Sequence, residues 1–126
     1  MAVLYGVMVE IDPKEEVAWN EWHTRQHIPD VLAQPGFLRA TKYRLDTSNG
    51  DWSQYLTAYE LESREALDAY LRSEAVSRLR ADHYAHFGHC TRLSRLILTP
   101  TMLVNKPIGL LTSAVGVKIM RDRRVQ

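Results

Sequence analysis

Residues 2–11 are apolar on both alternating sets, Val3, Tyr5, Val7, Val9 and Ile11 against Ala2, Leu4 and Met8, and Asp12-Pro13-Lys14-Glu15 follows at once. A strand that reads as apolar on both sides has to be covered on both sides, so it predicts a central strand. Asp12 supplies an N-cap, Pro13 the first helical position and Glu15 an acid in the first turn, which predicts a helix from there toward Gln34. Pro29 interrupts that helix. It has no N–H for the Arg25 carbonyl and disfavours helical angles at Ile28, so a kink, or a stop and restart, is expected just after His27.

Pro35-Gly36 closes the element, and residues 37–45 alternate well enough for a strand whose charges suit a sheet edge. Ser48-Asn49-Gly50-Asp51 is a hairpin-type turn, after which residues 52–61 read as a strand with Tyr55, Tyr59 and Leu61 opposite Leu56 and Ala58. Ser63 can cap a second helix. Its apolar stripe shifts at Ser73 to Val76, Leu79, His83 and Phe87, which predicts a bend there, and Gly88 fits its end. Residues 90–98 then supply a fourth strand that Pro100 stops or pushes to an edge. The order is strand, helix, strand, strand, helix, strand, a ferredoxin-like βαββαβ α+β fold with a four-stranded antiparallel sheet and both helices on one face. Strands one and three are then central, and the other sheet face is bare in a monomer. A bare apolar face calls for a partner, and a second copy related by a two-fold axis is the simplest one, which predicts a homodimer.

The chain has 126 residues, 45% hydrophobic and 25% charged, which suits one globular unit. Its formal net charge of +1 leaves no general attraction to nucleic acid, although Lys106, Lys118, Arg121, Arg123 and Arg124 face only Asp122 in the tail. No apolar run reaches the roughly 20 residues that span a bilayer, and the first residues lack a leader pattern; no membrane association and a cytoplasmic location are the expectations. The single Cys90 cannot form an internal disulfide and is a poor start for a metal site, so it reads as a packed small hydrophobe. Residues 1–104 form the expected domain. Residues 105–126 are an extension whose stretches 108–111 and 114–120 are too apolar to be solvated, so the extension is expected to dock on the domain or on the partner subunit, the second stretch as an added strand.

Chemistry concentrates in residues 19–29. At 3.6 residues per turn, Trp19, Trp22, His23 and Gln26 share one helical face with His27 on its shoulder, setting imidazoles among large rings. Three readings stand side by side. The histidines can fill space and bond carbonyls freed by Pro29. They can act as general bases, kept neutral by the tryptophans, a role worth about 10² to 10⁴ in rate. They can bind a metal from spacing i and i+4, but Thr24, Arg25 and Gln26 between them lack the zinc motif's glutamate and add an opposing charge, so no metal is expected. A second set, His83, His86 and His89, straddles the helix end, and only His83 lies on the apolar stripe. A haem would need its axial ligand from these histidines, but nothing in the spacing demands one. Tyr5, Tyr43, Tyr55 and Tyr59 offer phenols, and Arg39, Arg44, Arg92 and Arg95 offer fixed charge for a carboxylate or enolate, although most should be structural. No nucleotide-binding or hydrolase signature is present, and no cofactor is expected.

The segment Trp22-His23-Thr24-Arg25-Gln26-His27-Ile28-Pro29-Asp30-Val31-Leu32, with Pro35-Gly36-Phe37, Arg39 and Tyr59-Glu60-Leu61, resembles the dimeric α+β-barrel superfamily, especially its EthD-like members. The likeness covers about residues 3–100. It implies the dimeric α+β barrel and a pocket between sheet and helices beside His23 and His27. Families of that superfamily include cofactor-free monooxygenases, muconolactone-type isomerases, dehydratases of polyketide intermediates and haem-degrading enzymes. The expected function is a small dimeric enzyme moving protons on an aromatic, lactone or polyketide-like molecule by isomerisation, dehydration or cofactor-free oxygenation. His23 and His27 are the candidate bases, with Trp19, Trp22, Gln26, His83, Tyr59 and Phe87 as candidate substrate contacts. The alternative is a non-catalytic ligand-binding or assembly module in which the histidines only shape the pocket.

Overall fold

The computed structural model describes residues 2–46 and 50–108. Four strands, β1 (Val3–Ile11), β2 (Phe37–Arg44), β3 (Ser53–Leu61) and β4 (Thr91–Leu98), form one sheet in the order β2-β3-β1-β4 with every neighbour antiparallel. The helices are α1 (Glu16–Trp22), α2 (Ile28–Leu32), α3 (Arg64–Leu71) and α4 (Glu74–Phe87). This is the expected ferredoxin-like α+β order, with β1 and β3 central and the charged β2 at an edge. Half of the hairpin turn and all of the expected tail strand lie outside the described residues, as does most of the extension.

The first helical segment opens as a single 3-10 turn, Pro13–Glu15, with the Asp12 carboxylate accepting from the Lys14 N–H at 3.0 Å. It then runs through α1, a π-helical turn (His23–His27) and α2 without a break. Two expectations are corrected here. The irregularity lies before Ile28 rather than after His27, and Ile28 keeps helical angles, φ −58° and ψ −47°. The Ile28 N–H reaches back five residues to the His23 carbonyl, and this wider turn makes room for the Pro29 ring that a regular α-helix would exclude. The second helical segment splits at the expected place: Ser63 caps α3 through the Ala66 N–H, and Ser73 caps α4 through the Val76 N–H. Gly36 turns the chain from α2 into β2 at φ +86°, a conformation that suits glycine, and a Cβ there would come within 2.5 Å of the Ala66 Cβ.

Strand period two sends Val3, Tyr5, Val9 and Ile11 toward the helices, where all are buried. Two apolar clusters result. One joins Tyr5, Tyr59, Leu61, Leu67, Tyr70 and Leu79; the other joins Val9, Ile11, Trp19, Tyr55, Phe87 and Cys90, and Val7 packs against both. Tyr55 bridges sheet and α1 by donating to Glu16 and accepting from Asn20 at 2.9 Å. The far sheet face carries Leu4, Met8, Leu56, Ala58, Leu96 and Leu98, with Leu96 36% and Leu98 44% exposed. It is flanked by the ion pairs Arg39–Glu60 and Arg92–Glu10.

Candidate functional site

Between the two clusters, where small Val7 leaves room, lies a cavity of about 30 Å³, space for a water or two, lined by His23, His27 and His83 with Tyr5, Tyr59 and Tyr70 among its walls. Next to it lies the groove between α4 and the edge strand β4. There a wider pocket of about 430 Å³ shares Arg80, His83, Leu93 and Arg95 with it and adds Ala81, Tyr84, Gly88 and Thr91.

The π turn decides which side chains reach this space. By winding fewer degrees per residue than an α-helix, it sets His27 against His23 and Trp22 and leaves Gln26 exposed. Rings stack in sequence, Trp19 on His23 at 4.4 Å and His23 on His27 at 5.4 Å between centroids. Trp22 stacks on His27 at 5.2 Å and on His86 at 4.8 Å. From α4, His83 meets His27 edge-on at 5.5 Å, and its Nε2 accepts the Trp19 indole N–H at 3.1 Å. An indole only donates, so Nε2 of His83 is unprotonated and the neutral ring carries its proton on Nδ1.

Burial favours the uncharged form of all three imidazoles. His23 is pushed down to about 2 by desolvation, then by the Lys42 ammonium and the neighbouring rings, and His83 is pushed down to about 4, again mainly by desolvation. His27 is also lowered by burial, but Asp82 and Asp30 oppose the shift. The Nδ1 atoms of His23 and His27 are buried without a hydrogen-bond partner. A buried ring nitrogen without a protein partner is costly, which makes the cavity beside these two atoms the candidate site. Lys42, on the helix-facing side of β2, lies over the Trp19 ring at 4.4 Å and donates to Thr24 Oγ1; its partial burial lowers it to about 8.

Of the candidate contacts, His83 and Tyr59 line the inner cavity. Trp19, Trp22 and Phe87 do not line it or the outer pocket; they back the imidazoles, Trp19 with no exposed surface at all. Gln26 is exposed, a departure from the shared face expected of a regular helix. Sequence reading did not pick out Tyr70, Arg80 or Lys42. The alternation of β2 could have flagged Lys42 as inward-facing, whereas Arg80 precedes by three the one histidine on the α4 stripe and carried no further signal.

Among the described residues, the three central histidines do not gather as a metal-ligand group. The one cluster of donor atoms within 4.8 Å of each other is Glu15, His89 and Cys90. There the Cys90 thiol donates to the Phe87 carbonyl at 3.6 Å, and burial together with Glu15 and Asp12 pushes it up, which holds it protonated and ill-suited to ligation. Among the described residues no helix is long and apolar enough to cross a membrane.

Comparison with solved structures places this architecture among small α+β proteins. An EthD-family protein from Bacillus halodurans is 18% identical with a TM-score of 0.60, covering 80% of this chain and 100% of its own. HapK from Hahella chejuensis is 14% identical with a TM-score of 0.60, covering 86% and 100%. SnoaB from Streptomyces nogalater, a cofactor-independent oxygenase, is 16% identical with a TM-score of 0.54, covering 83% and 98%. These likenesses show the ferredoxin-like fold of EthD-like proteins that the sequence resembles. No curated protein matches the chain in sequence. A family described as a domain of unknown function, DUF4286, matches residues 2–100, and the chain belongs to that family.

Proposed function

We propose that the chain is a homodimeric enzyme that moves protons on an aromatic, lactone or polyketide-like molecule seated between α4 and β4, with His27 as the general base. The observation that carries this reading is the pair of buried, unpartnered imidazole nitrogens beside a cavity that shares a wall with a pocket of ligand size. His23 is too strongly displaced to be an efficient base near neutral pH, whereas His27 is opposed in its shift by two carboxylates. His27 would take a proton from a carbon next to a carbonyl, and the electron pair would move onto the carbonyl oxygen. The Nδ1–H of neutral His83 can donate to that oxygen. The resulting enolate is a common first intermediate for isomerisation, dehydration and cofactor-free oxygenation. SnoaB, described as a cofactor-independent oxygenase, has the same fold, which supports this reading. The inner cavity admits water but no ring, so the flat body of the substrate belongs in the outer pocket with only its reacting edge turned inward.

The close stacking of Trp19, His23 and His27 favours the rival reading, a binding module whose histidines are structural. Proton exchange separates the two. In D₂O, the protein should accelerate deuterium incorporation at acidic C–H positions of a panel of aryl ketones and β-keto lactones, and His27→Gln should lose about 10² or more of that rate while still binding them. Binding without any accelerated exchange by the unaltered protein would leave the module. The homodimer rests on the apolar face of Leu4, Met8, Leu56, Ala58, Leu96 and Leu98.

A further inference from the structure

Of the four strand arginines that offer fixed charge, three are already matched. Arg39 pairs with Glu60, Arg44 with Glu16, and Arg92 with Glu10 while also lying over the Trp52 ring at 3.8 Å. Arg95 has no carboxylate partner among the described residues. Its register partner is Val7, which puts it on the helix-facing side of β4, and it lines both the inner cavity and the outer pocket. Across from it on α4, Arg80 lines the same two spaces; it too lacks a carboxylate among the described residues, and its guanidinium donates to Tyr5 Oη at 3.1 Å. Two guanidiniums without a carboxylate partner among the described residues therefore line both the inner cavity and the outer pocket. Between them the wall is apolar and partly flat: Leu93, Ala81, and the Tyr84 ring lying so close over Gly88 that a Cβ there would meet it at 2.6 Å.

We propose that this pocket selects an anion, specifically a flat aromatic or enolic carboxylate whose oxygens are held by Arg80 and Arg95 and whose ring lies against Leu93 and Tyr84. The assignment rests on the pocket reading given above and adds the charge of the ligand to it. Guanidinium groups hold carboxylates through paired N–H donors, a charge-assisted geometry that a neutral amide cannot match. A neutral ring of the same shape would leave both charges unanswered.

The test uses 2-naphthoate and its neutral isostere 2-naphthamide, titrated into the full chain by calorimetry and followed by NMR at the histidine side chains. The carboxylate should bind about tenfold or more tighter than the amide. Arg80→Gln with Arg95→Gln should bring the two affinities together, and Arg95→Lys should keep part of the preference. Both arginines are exposed, so retention of the fold is checked by the unchanged thermal midpoint of each variant. Equal affinity of the two probes, or a preference surviving the double substitution, overturns the anion assignment while leaving the pocket intact. If neither probe perturbs His27 or His83, the pocket reading and the anion assignment fall together.

Discussion

Three imidazoles held neutral by burial tie stability to pH in a definite direction. In the unfolded chain each titrates near 6.5, whereas the folded values lie lower, about 4 for His83 and about 2 for His23. Below 6.5 the unfolded state therefore binds more protons, and the stability contributed by these groups, fully present above that pH, is lost as pH falls. Each strongly shifted histidine should remove at most about 1.4 kcal/mol per pH unit below pH 6, with the contribution of His83 levelling off as pH nears 4. Denaturant titrations at half-unit intervals should show this slope, and His83→Gln should flatten it. A midpoint that stays level from pH 7 to pH 4 would mean that the rings open to water in solution. Phase along the helix decided what sequence could say about these residues. His83 was legible because α4 is regular, whereas Gln26 was misplaced because a π turn changes the angle per residue and no local pattern announces it.

Elements were more legible than their irregularities. Two-sided apolarity of β1, the serine caps of α3 and α4, and the alternation of β3 each came from a local rule that the packed structure also obeys. The response to Pro29 did not, because a missing N–H can be met by a kink, a break or a widened turn, and only packing against the sheet chooses among them. The outer pocket was likewise unreadable, since its walls are contributed by α4 and β4 across the passage from helix layer to sheet edge. The joint at Gly36 is a sharper case. Its φ of +86° and the Ala66 methyl facing it leave no room for a side chain, so Gly36→Ala should cost about 2 kcal/mol or more, read as a drop in the denaturation midpoint. A variant as stable as the parent would show that α3 can retreat from the turn.

For the whole molecule, the sheet face that none of the described helices covers is the dominant feature. Leucines on β1, β3 and β4, joined by Met8 and Ala58, form a continuous apolar surface rimmed by ion pairs, the pattern of an interface core with a polar margin. Light scattering should give the mass of two chains, and Leu96→Glu, which sets a charge into the middle of that surface, should shift the population to single chains without unfolding them. A monomeric parent chain would remove the homodimer from the proposed function. Met102, Leu103, Val104 and Ile108 follow β4 with more than 70% of their surface exposed, so the same measurement on a chain ending at residue 104 tells whether residues 105–126 add to the association.

The indole–imidazole hydrogen bond from Trp19 to His83 has a consequence for traffic. It clamps two helical segments that are 64 residues apart in sequence, so the helix layer cannot part like a lid without breaking a buried polar link. On the proposed reading, a guest would then slip in sideways past the sheet's margin, through a doorway between α4 and β4. Selection by girth at that doorway would show up in how fast molecules arrive rather than in how long they stay.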